Sequence, residues 1–331
     1  LMVGAVVVVF LHNVPYKWFQ VFPVFLYPIS LVLLAFVTLM GIITGDRVNG
    51  AARWMTFMGL QFQPSELAKM AVIIAVSFIL SKRQDEEGAN PNAFKYIMIL
   101  TGLVLVLIAP ENLSTAMLLF GVVFMMMFIG RVAAKKLLLL AGGLVLIVAL
   151  GVGTVVAIPA KTLHNTPGLH RLETWQNRIK GFFDKDEVPA AKFDIDKDAQ
   201  IAHARIAIAT SHVVGKGPGN SIQRDFLSQA FSDFIFAIVI EEMGLIGGIF
   251  VVFLYLCLLM RAGRIAQKCE RTFPAFLVMG IALLLVSQAI LNMMVAVGLF
   301  PVTGQPLPLV SKGGTSTLIN CAYIGMILSV S

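Results

Sequence analysis

The sequence predicts an all-α, polytopic helical membrane protein. Of its 331 residues 58% are hydrophobic and 13% are charged, and the mean hydropathy is +0.87. Soluble domains carry roughly 25% charged residues. The net charge of +7 does not indicate nucleic acid as a partner, because the basic residues sit in short clusters between apolar runs, where they set membrane topology.

Nine apolar segments have the length and composition of helices or parts of helices. They lie near residues 1–11, 20–44, 65–81, 94–109, 113–130, 137–158, 233–260, 274–298 and 315–331. The chain begins with Leu1 inside an apolar run that is too short to cross the ~30 Å hydrocarbon core by itself. We therefore expect that the N-terminus and one earlier helix are missing, and that 1–331 is a single, N-terminally truncated membrane domain of a protein with about ten helices.

The distribution of Lys and Arg predicts the orientation. One set of connections holds Lys17, Lys82, Arg83, Lys95, Arg131, Lys135, Lys136, Arg261, Arg264, Lys268 and Arg271. The alternate connections hold little beyond Arg47, Arg53 and Lys312 in their short members. Because Lys and Arg accumulate on the cytoplasmic side, four connections are expected outside: 46–63, 110–112, the large loop 159–232, and 300–314. We expect these four to build one site.

The first outer connection ends in a helix start. Pro64 suits the first helical position, where its missing N–H costs nothing, and Glu66 falls in the first turn, where the helix dipole favours an anion. Lys69 follows three residues later. Two interpretations stay open. Glu66 and Lys69 form a local ion pair, or Lys69 and Arg53 offer positive charge to an anionic headgroup.

The large outer loop holds an amphipathic stretch and a glycine-rich turn. Residues 169–183 place apolar and cationic side chains at helical spacing, which indicates either an interfacial helix or a helix packed on the bundle. The acidic stretch 184–198 lacks the glycine and glutamate of an EF-hand, so no metal site is predicted, and a divalent cation stays open as a cofactor. A short helix then leads into Gly215, Gly217 and Gly219. That turn could approach a phosphate, although it lacks the lysine and strand of a nucleotide loop.

Three acids mark the next apolar segment. Ser232 and Asp233 are predicted to start its helix, since Ser is a good N-cap and Asp is favoured in the first turn. At the outer boundary, an ionised Asp233 could also accept a proton from a substrate hydroxyl. Glu241 lies roughly 12 Å deeper at 1.5 Å per residue. We expect Glu241 and Glu242 to pair with a basic group or bind polar backbone inside the bundle.

The last outer connection, 300–314, is rich in proline and glycine. Irregular backbone at membrane depth is tolerated only where protein or a water-filled cavity surrounds it. We therefore predict a re-entrant wall of the outer site.

Three sets of motifs give the chain a resemblance to the SEDS proteins of bacterial cell-shape and division machinery. They are NGAARW with QPSELAK (49–54, 63–69), GKGPGNS with SDFIFAIVIEEMGLIG (215–221, 232–247) and PVTGQPLPLVSKGGTS (301–316). The residues after the glycine pair resemble the division type more than the elongation type. Two positions depart from the family: Asn112-Leu113-Ser114 replaces a common Asp-Leu-Gly turn, and Lys312 stands where an aromatic is usual.

The resemblance implies a ten-helix glycosyltransferase that polymerises lipid II into glycan strands outside the bacterial inner membrane, at the division septum. Asp233 matches the family's essential aspartate, the implied general base, and Asp225 matches a second acidic position. Arg53, Lys69 and Arg47 are implied to stabilise the departing undecaprenyl pyrophosphate in an inverting transfer. The implied partners are a class B penicillin-binding protein transpeptidase and other divisome membrane proteins. The predicted substrate-binding residues are Arg47, Arg53, Glu66, Lys69, Gly217, Gly219, Asn220, Ser221, Asp225, Ser311, Gly313 and Gly314.

Three alternatives remain open at this point. A lipid II flippase would use acids such as Glu241 and Glu242 to line a polar pathway. An elongation-type polymerase would share the chemistry of the division type. A non-catalytic division scaffold would need none of the polar and glycine-rich detail of the outer loops.

The orientation can be tested by chemical labelling. In a background without native cysteines, Lys185→Cys should react with an impermeant thiol reagent added to intact spheroplasts, because 159–232 is predicted outside. Labelling that occurs only after lysis would place this loop in the cytoplasm.

Overall fold

Helices dominate the part of the chain that the structure describes. The computed structural model describes residues 2–43, 55–57, 60–85, 88–157, 176, 195–227 and 232–331. In chain order its helices are α1 (Met2–Asn13), α2 (Tyr16–Phe19), α3 (Phe22–Ile43), α4 (Pro64–Lys82), α5 (Pro91–Ile108), α6 (Leu113–Ile129), α7 (Ala134–Ala157), α8 (Ile195–Ala209), α9 (Ile235–Lys268), α10 (Thr272–Ala296) and α11 (Gly314–Val330), with a 3₁₀ helix at Gln223–Phe226. Six of them are long and apolar enough to cross a membrane, and α1, α6 and α11 are shorter apolar helices. These nine coincide with the nine predicted segments, and the predicted fold class, an all-α polytopic membrane protein, is confirmed.

Two short β-hairpins were not predicted. Strand β1 (Met55–Phe57) pairs antiparallel with β2 (Leu60–Phe62), and β3 (Gln84–Asp85) pairs with β4 (Gly88–Ala89). Strands of two or three residues are too short to show the alternation of polar and apolar residues by which a strand is recognised in a sequence.

The described structure divides into two compact units, and the prediction of a single domain over 1–331 stays a prediction. The first unit comprises Leu1–Leu138, Tyr255–Gln288 and Lys312–Ser331. Its most buried helix is α4, which packs against α3, α5 and α6. As predicted, α4 begins with Pro64 at its first position. Buried Asn112 caps α6 by accepting a hydrogen bond from the N–H of Thr115 at 3.2 Å, an N-cap role that Asn performs as well as Asp.

The second unit comprises Leu139–Leu254 and Ala289–Ser311. In it, α8 packs against the 3₁₀ helix Gln223–Phe226. The short helix predicted before the glycine-rich turn is confirmed as α8. The apolar segment predicted near 233–260 is α9, which begins at Ile235, ends at Lys268 and is interrupted at Gly244, where φ is 72°. The interruption was not predicted.

Helices α1 and α11 of the first unit approach closely through glycine. A Cβ atom added to Gly325 would lie 2.8 Å from Cβ of Leu11 and 3.1 Å from the carbonyl oxygen of Val8. A Cβ atom added to Gly4 would lie 2.8 Å from Sγ of Cys321. Small residues of this kind let helix backbones pack directly in a membrane, where no hydrophobic effect drives helices together.

We expect Gly325→Ala to separate α1 from α11 and to lower the thermal stability of the detergent-purified protein, because overpacking costs ~1–3 kcal/mol. Gly121→Ala in α6 is the matched control, since a Cβ atom there meets nothing within 4 Å and Ala favours helix over Gly. Equal melting temperatures for the two variants would contradict the close approach.

Candidate functional site

Asp233 lies in a turn just before α9. The N–H groups of Ala237 and Ile238 bond the carbonyl of Phe234 at 3.0 and 3.4 Å, so Phe234 occupies the N-cap position. The prediction that Ser232 and Asp233 start the helix is therefore wrong by two residues. The reason is that the Ser232 hydroxyl donates to Oδ1 of Asp233 at 3.1 Å instead of capping the helix. Asp233 is half-buried.

Two buried side chains hold the backbone of this turn. The Nδ2 group of Asn292 donates to the carbonyls of Asp233 and Gln305, both at 2.8 Å. The hydroxyl of Ser311 donates to the carbonyl of Ser232 at 2.6 Å and accepts from the N–H of Leu307 at 2.7 Å. Hydrogen bonds to two consecutive carbonyls thus connect the turn that carries Asp233 to α10 and to the connection 300–314.

Of these two anchors, the sequence predicted Ser311 as a site residue and missed Asn292. Asn292 is 1% exposed within an otherwise apolar stretch of α10. A buried amide in an apolar helix is itself a signal, because polar groups at membrane depth need partners and mark functional positions. Applied to every polar residue of the apolar segments, that criterion would have found it.

The glycine-rich turn is folded against α9. Gly217 and Gly219 have φ values of 93° and 82°, which suit glycine. The N–H of Gly217 bonds the carbonyl of Glu242 at 2.9 Å, and the Asn220 amide donates to the carbonyl of Lys216 at 3.1 Å. Some of the donors that such a turn could offer to a phosphate are therefore used within the protein. A substrate contact by Gly217, Gly219 or Asn220 stays a prediction.

The prediction that Glu241 pairs with a basic group or polar backbone is confirmed. Its buried carboxylate accepts hydrogen bonds from Nζ of Lys216 at 2.6 Å and from the hydroxyl of Ser221 at 2.5 Å. The N–H groups of Ile222 and Gln223 add bonds of 3.3 Å each. The predicted site residue Ser221 thus has a structural contact, and its proposed role toward substrate stays a prediction.

Asp225 is more accessible than the acids described so far. It lies in the 3₁₀ helix with its side chain 74% exposed, and Nε of Arg224 approaches its Oδ1 at 3.3 Å. Ion pairs at such exposed positions are worth little, about 0–1 kcal/mol. Asp225 can therefore move to meet a ligand at small cost.

In the first unit, Glu66 and Lys69 form a buried polar cluster. Nζ of Lys69 lies 2.8 Å from Oε1 of Glu66 and 3.0 Å from Oε1 of Gln288. Lys69 is 0% and Glu66 3% exposed. The ion-pair interpretation is confirmed, whereas binding of an anionic headgroup by Lys69 stays a prediction.

The remaining predicted positions are less constrained. Gly313 precedes α11 in extended backbone (φ −129°), and a Cβ atom added to Gly314 would meet nothing within 4 Å. Arg47 and Arg53 lie outside the described residues, as does the amphipathic stretch 169–183 apart from the buried Gln176. Within the described part of the chain, no group of three or more His, Cys, Asp or Glu residues could hold a metal ion.

Comparison with known proteins shows the family to which this chain belongs. The family model for FtsW, RodA and SpoVE, described as "Cell cycle protein", matches residues 1–331. A relative from Geobacter sp. (strain M18), named "Probable peptidoglycan glycosyltransferase FtsW", is 35% identical over 97% of this chain and 80% of its own length. A relative of the same name from Trichlorobacter lovleyi is 33% identical over 100% of this chain and 81% of its own.

Solved structures show the same fold. A chain from the structure "Structural coordination of polymerization and crosslinking by a peptidoglycan synthase complex" aligns with a TM-score of 0.74 and 26% identity, covering 99% of this chain and 86% of that one. The rod shape determining protein RodA of Thermus thermophilus aligns with a TM-score of 0.65 and 24% identity over 99% of this chain and 83% of RodA.

The buried cluster of the first unit predicts strong coupling between its members. Lys69→Met should destabilise the purified protein by ~3–5 kcal/mol, because it leaves the Glu66 carboxylate buried without its ion-pair partner. Adding Glu66→Gln to Lys69→Met should restore part of that loss, which can be followed by thermal unfolding in detergent. Additive losses in the double variant would show that the two side chains act independently.

Proposed function

The chain belongs to the family of FtsW, RodA and SpoVE cell cycle proteins, and from this membership we propose that it is a peptidoglycan glycosyltransferase that polymerises lipid II outside the cytoplasmic membrane. The observation that carries the proposal is the match of nearly the whole chain to the two relatives named as probable peptidoglycan glycosyltransferases of the FtsW type, at 35% and 33% identity. The apolar helices agree with a multi-pass membrane enzyme.

The reaction requires a base, an anion site and fixed geometry. The 4-hydroxyl of one lipid II attacks the anomeric carbon of the growing chain. The new carbon–oxygen bond forms as the bond to undecaprenyl pyrophosphate breaks, with inversion, and the hydroxyl proton passes to a carboxylate. Asp233 is proposed as that carboxylate, since it is half-buried and lies at the start of an apolar helix rather than within it. General bases of this kind contribute ~10²–10⁴ in rate.

The anchoring of the Asp233 turn supports this role. A catalytic group must be held close to its productive geometry by neighbours that are themselves locked by packing and hydrogen bonds. Asn292 and Ser311 bond consecutive carbonyls of the turn and are 1% and 8% exposed. We assign both as positioning residues for Asp233.

The anion site is proposed from charge. Arg47, Arg53 and Lys69 would stabilise the pyrophosphate as it departs, because Arg and Lys together suit phosphate oxygens. Nζ of Lys69 donates to Glu66 and Gln288 and retains a third N–H. Because Lys69 is 0% exposed, a direct contact with the pyrophosphate requires that the buried cluster opens. Gly217, Gly219, Asn220, Asp225 and the loop positions Ser311, Gly313 and Gly314 complete the proposed binding residues.

A partner that crosslinks the product is part of the proposal. The similar chain of the peptidoglycan synthase complex comes from an assembly that coordinates polymerisation and crosslinking. We propose that this chain likewise works with a class B penicillin-binding protein and, as its FtsW-type relatives suggest, at the division septum with other divisome membrane proteins.

Asp233→Asn tests the catalytic assignment. The substitution keeps size and hydrogen bonding but removes the proton-accepting charge, so glycan synthesis from labelled lipid II by the purified full-length protein with its transpeptidase should fall ~10²–10⁴-fold. Asp85→Asn is the matched control, because Asp85 lies in the β3–β4 hairpin, where its Oδ2 accepts a hydrogen bond from Nδ2 of Asn90 at 3.1 Å.

Expression, thermal stability and partner binding should be unchanged in both variants. Near-normal synthesis by Asp233→Asn would remove Asp233 as the base. No lipid II polymerisation by the unsubstituted protein, together with accelerated movement of lipid II across liposomes, would favour a flippase instead.

A further inference from the structure

The break in α9 is filled by the glycine-rich turn. At Gly244, φ is 72° and ψ is −172°, so helical hydrogen bonding stops there. The N–H groups of Lys216 and Gly217 bond the carbonyls of Glu241 and Glu242, both at 2.9 Å. On the far side of the break, the N–H groups of Leu245 and Ile246 bond the carbonyls of His212 and Val213 at 3.3 and 3.4 Å. Loop residues 212–217 therefore supply partners for α9 on both sides of the break.

The fit between the two backbones requires glycine at both contact positions. Gly215 has a φ of 80°, and a Cβ atom there would lie 2.4 Å from the amide nitrogen of Gly244. A Cβ atom on Gly244 would lie 2.1 Å from the carbonyl oxygen of Val213. Real Cβ atoms do not approach backbone this closely, so a side chain at either position would force the loop out of the break.

The Glu241 carboxylate locks the far end of the same loop. Its donors come from Lys216 within the first half of the loop 212–223 and from Ser221, Ile222 and Gln223 at its end. Glu241 is 0% exposed, whereas the Lys216 side chain is 27% exposed. An ionised carboxylate in an apolar segment is stable only with such partners. One carboxylate thus holds the middle and the end of the loop on α9.

We propose that Glu241 is a positioning residue for glycosyl transfer: it clamps loop 212–223 into the break of α9 and so sets the loop at a fixed place on the helix that follows Asp233. The consequence for catalysis rests on the proposed function, while the clamp itself does not. Helix α9 begins at Ile235, two residues after Asp233, and Glu241 lies six residues further on, a rise of roughly 9 Å at 1.5 Å per residue. This short helical stretch connects the clamp to the turn that carries Asp233. Release of the clamp should misplace the loop relative to Asp233, and a displacement of about 1 Å can cost ~10²-fold in rate.

The clamp can be observed without any assay of activity. Val214 lies in the docked loop with its side chain 74% exposed, and it can carry a nitroxide label as Val214→Cys in full-length protein lacking Cys257, Cys269 and Cys321. In liposomes, the label should be less mobile in the parent protein than in Glu241→Gln, which cannot hold the Lys216 charge. Glu242→Gln is the matched control, because the Glu242 carbonyl that bonds Gly217 remains.

Measurements of lipid II polymerisation then distinguish a positioning role of Glu241 from a role in folding alone. With melting temperature and partner binding retained, Glu241→Gln should lower kcat for lipid II polymerisation by up to ~10²-fold and change KM less. Lys216→Met should show the same effects in part, and Lys216→Arg, which keeps the charge, should restore both label mobility and kcat toward the parent values.

The possible outcomes decide between the clamp and its alternatives. An unchanged nitroxide spectrum in Glu241→Gln would disprove the clamp. A mobile loop with unchanged kcat would disprove the positioning role. If Glu241→Gln fails to fold, Lys216→Met removes the ion pair and retains the donors of Ser221, Ile222 and Gln223, and the same two measurements apply to it. Full activity of Asp233→Asn would refute the proposed base while leaving the spectroscopic result intact.

Discussion

The structure of the second unit depends on finding hydrogen-bond partners for the backbone N–H and C=O groups that the interruption of α9 at Gly244 leaves without helical partners. Each such group left unsatisfied in hydrocarbon costs several kcal/mol, so the break at Gly244 requires other hydrogen-bond partners, and a second backbone beside it supplies them. That backbone is the turn 212–217, which must contain Gly215 to come close enough. The two motifs GKGPGNS and EEMG are therefore two halves of one arrangement. The need for a partner explains why a glycine-rich loop and a glycine within an apolar helix occur together.

The acids of the chain follow different rules according to their surroundings. Glu66 and Glu241 are buried and each is paired with a lysine at 2.6–2.8 Å, so their charges hold helices and loops in place. Asp233 is half-buried in a turn, receives the Ser232 hydroxyl, and has its backbone fixed by Asn292. A general base must stay within reach of substrate while its backbone stays fixed. Of these three acids, Asp233 meets both conditions best.

Hydropathy predicted the nine apolar helices, because their existence depends on local composition. Pro64 predicted the start of α4, because the effect of proline on a helix is also local. The same method could not find the break in α9, since glycine is common in membrane helices and the partner loop lies some 30 residues earlier. The assignment of Ser232 as an N-cap failed because a hydroxyl can bond either a helix N–H or a neighbouring carboxylate, and tertiary contacts decide between them. Asn292 was missed because a single amide among apolar residues leaves hydropathy almost unchanged, although its two bonds fix the turn that carries Asp233.

The break in α9 also bears on the transporter interpretation. That interpretation drew its support from Glu241 and Glu242, because acids within a membrane segment often line a polar pathway. In the structure, the Glu241 carboxylate accepts four hydrogen bonds from the loop 216–223. A carboxylate that already accepts four hydrogen bonds has little capacity left to bind a passing headgroup. The presence of Glu241 is thus explained by the architecture that surrounds Asp233, and it no longer requires a route across the membrane.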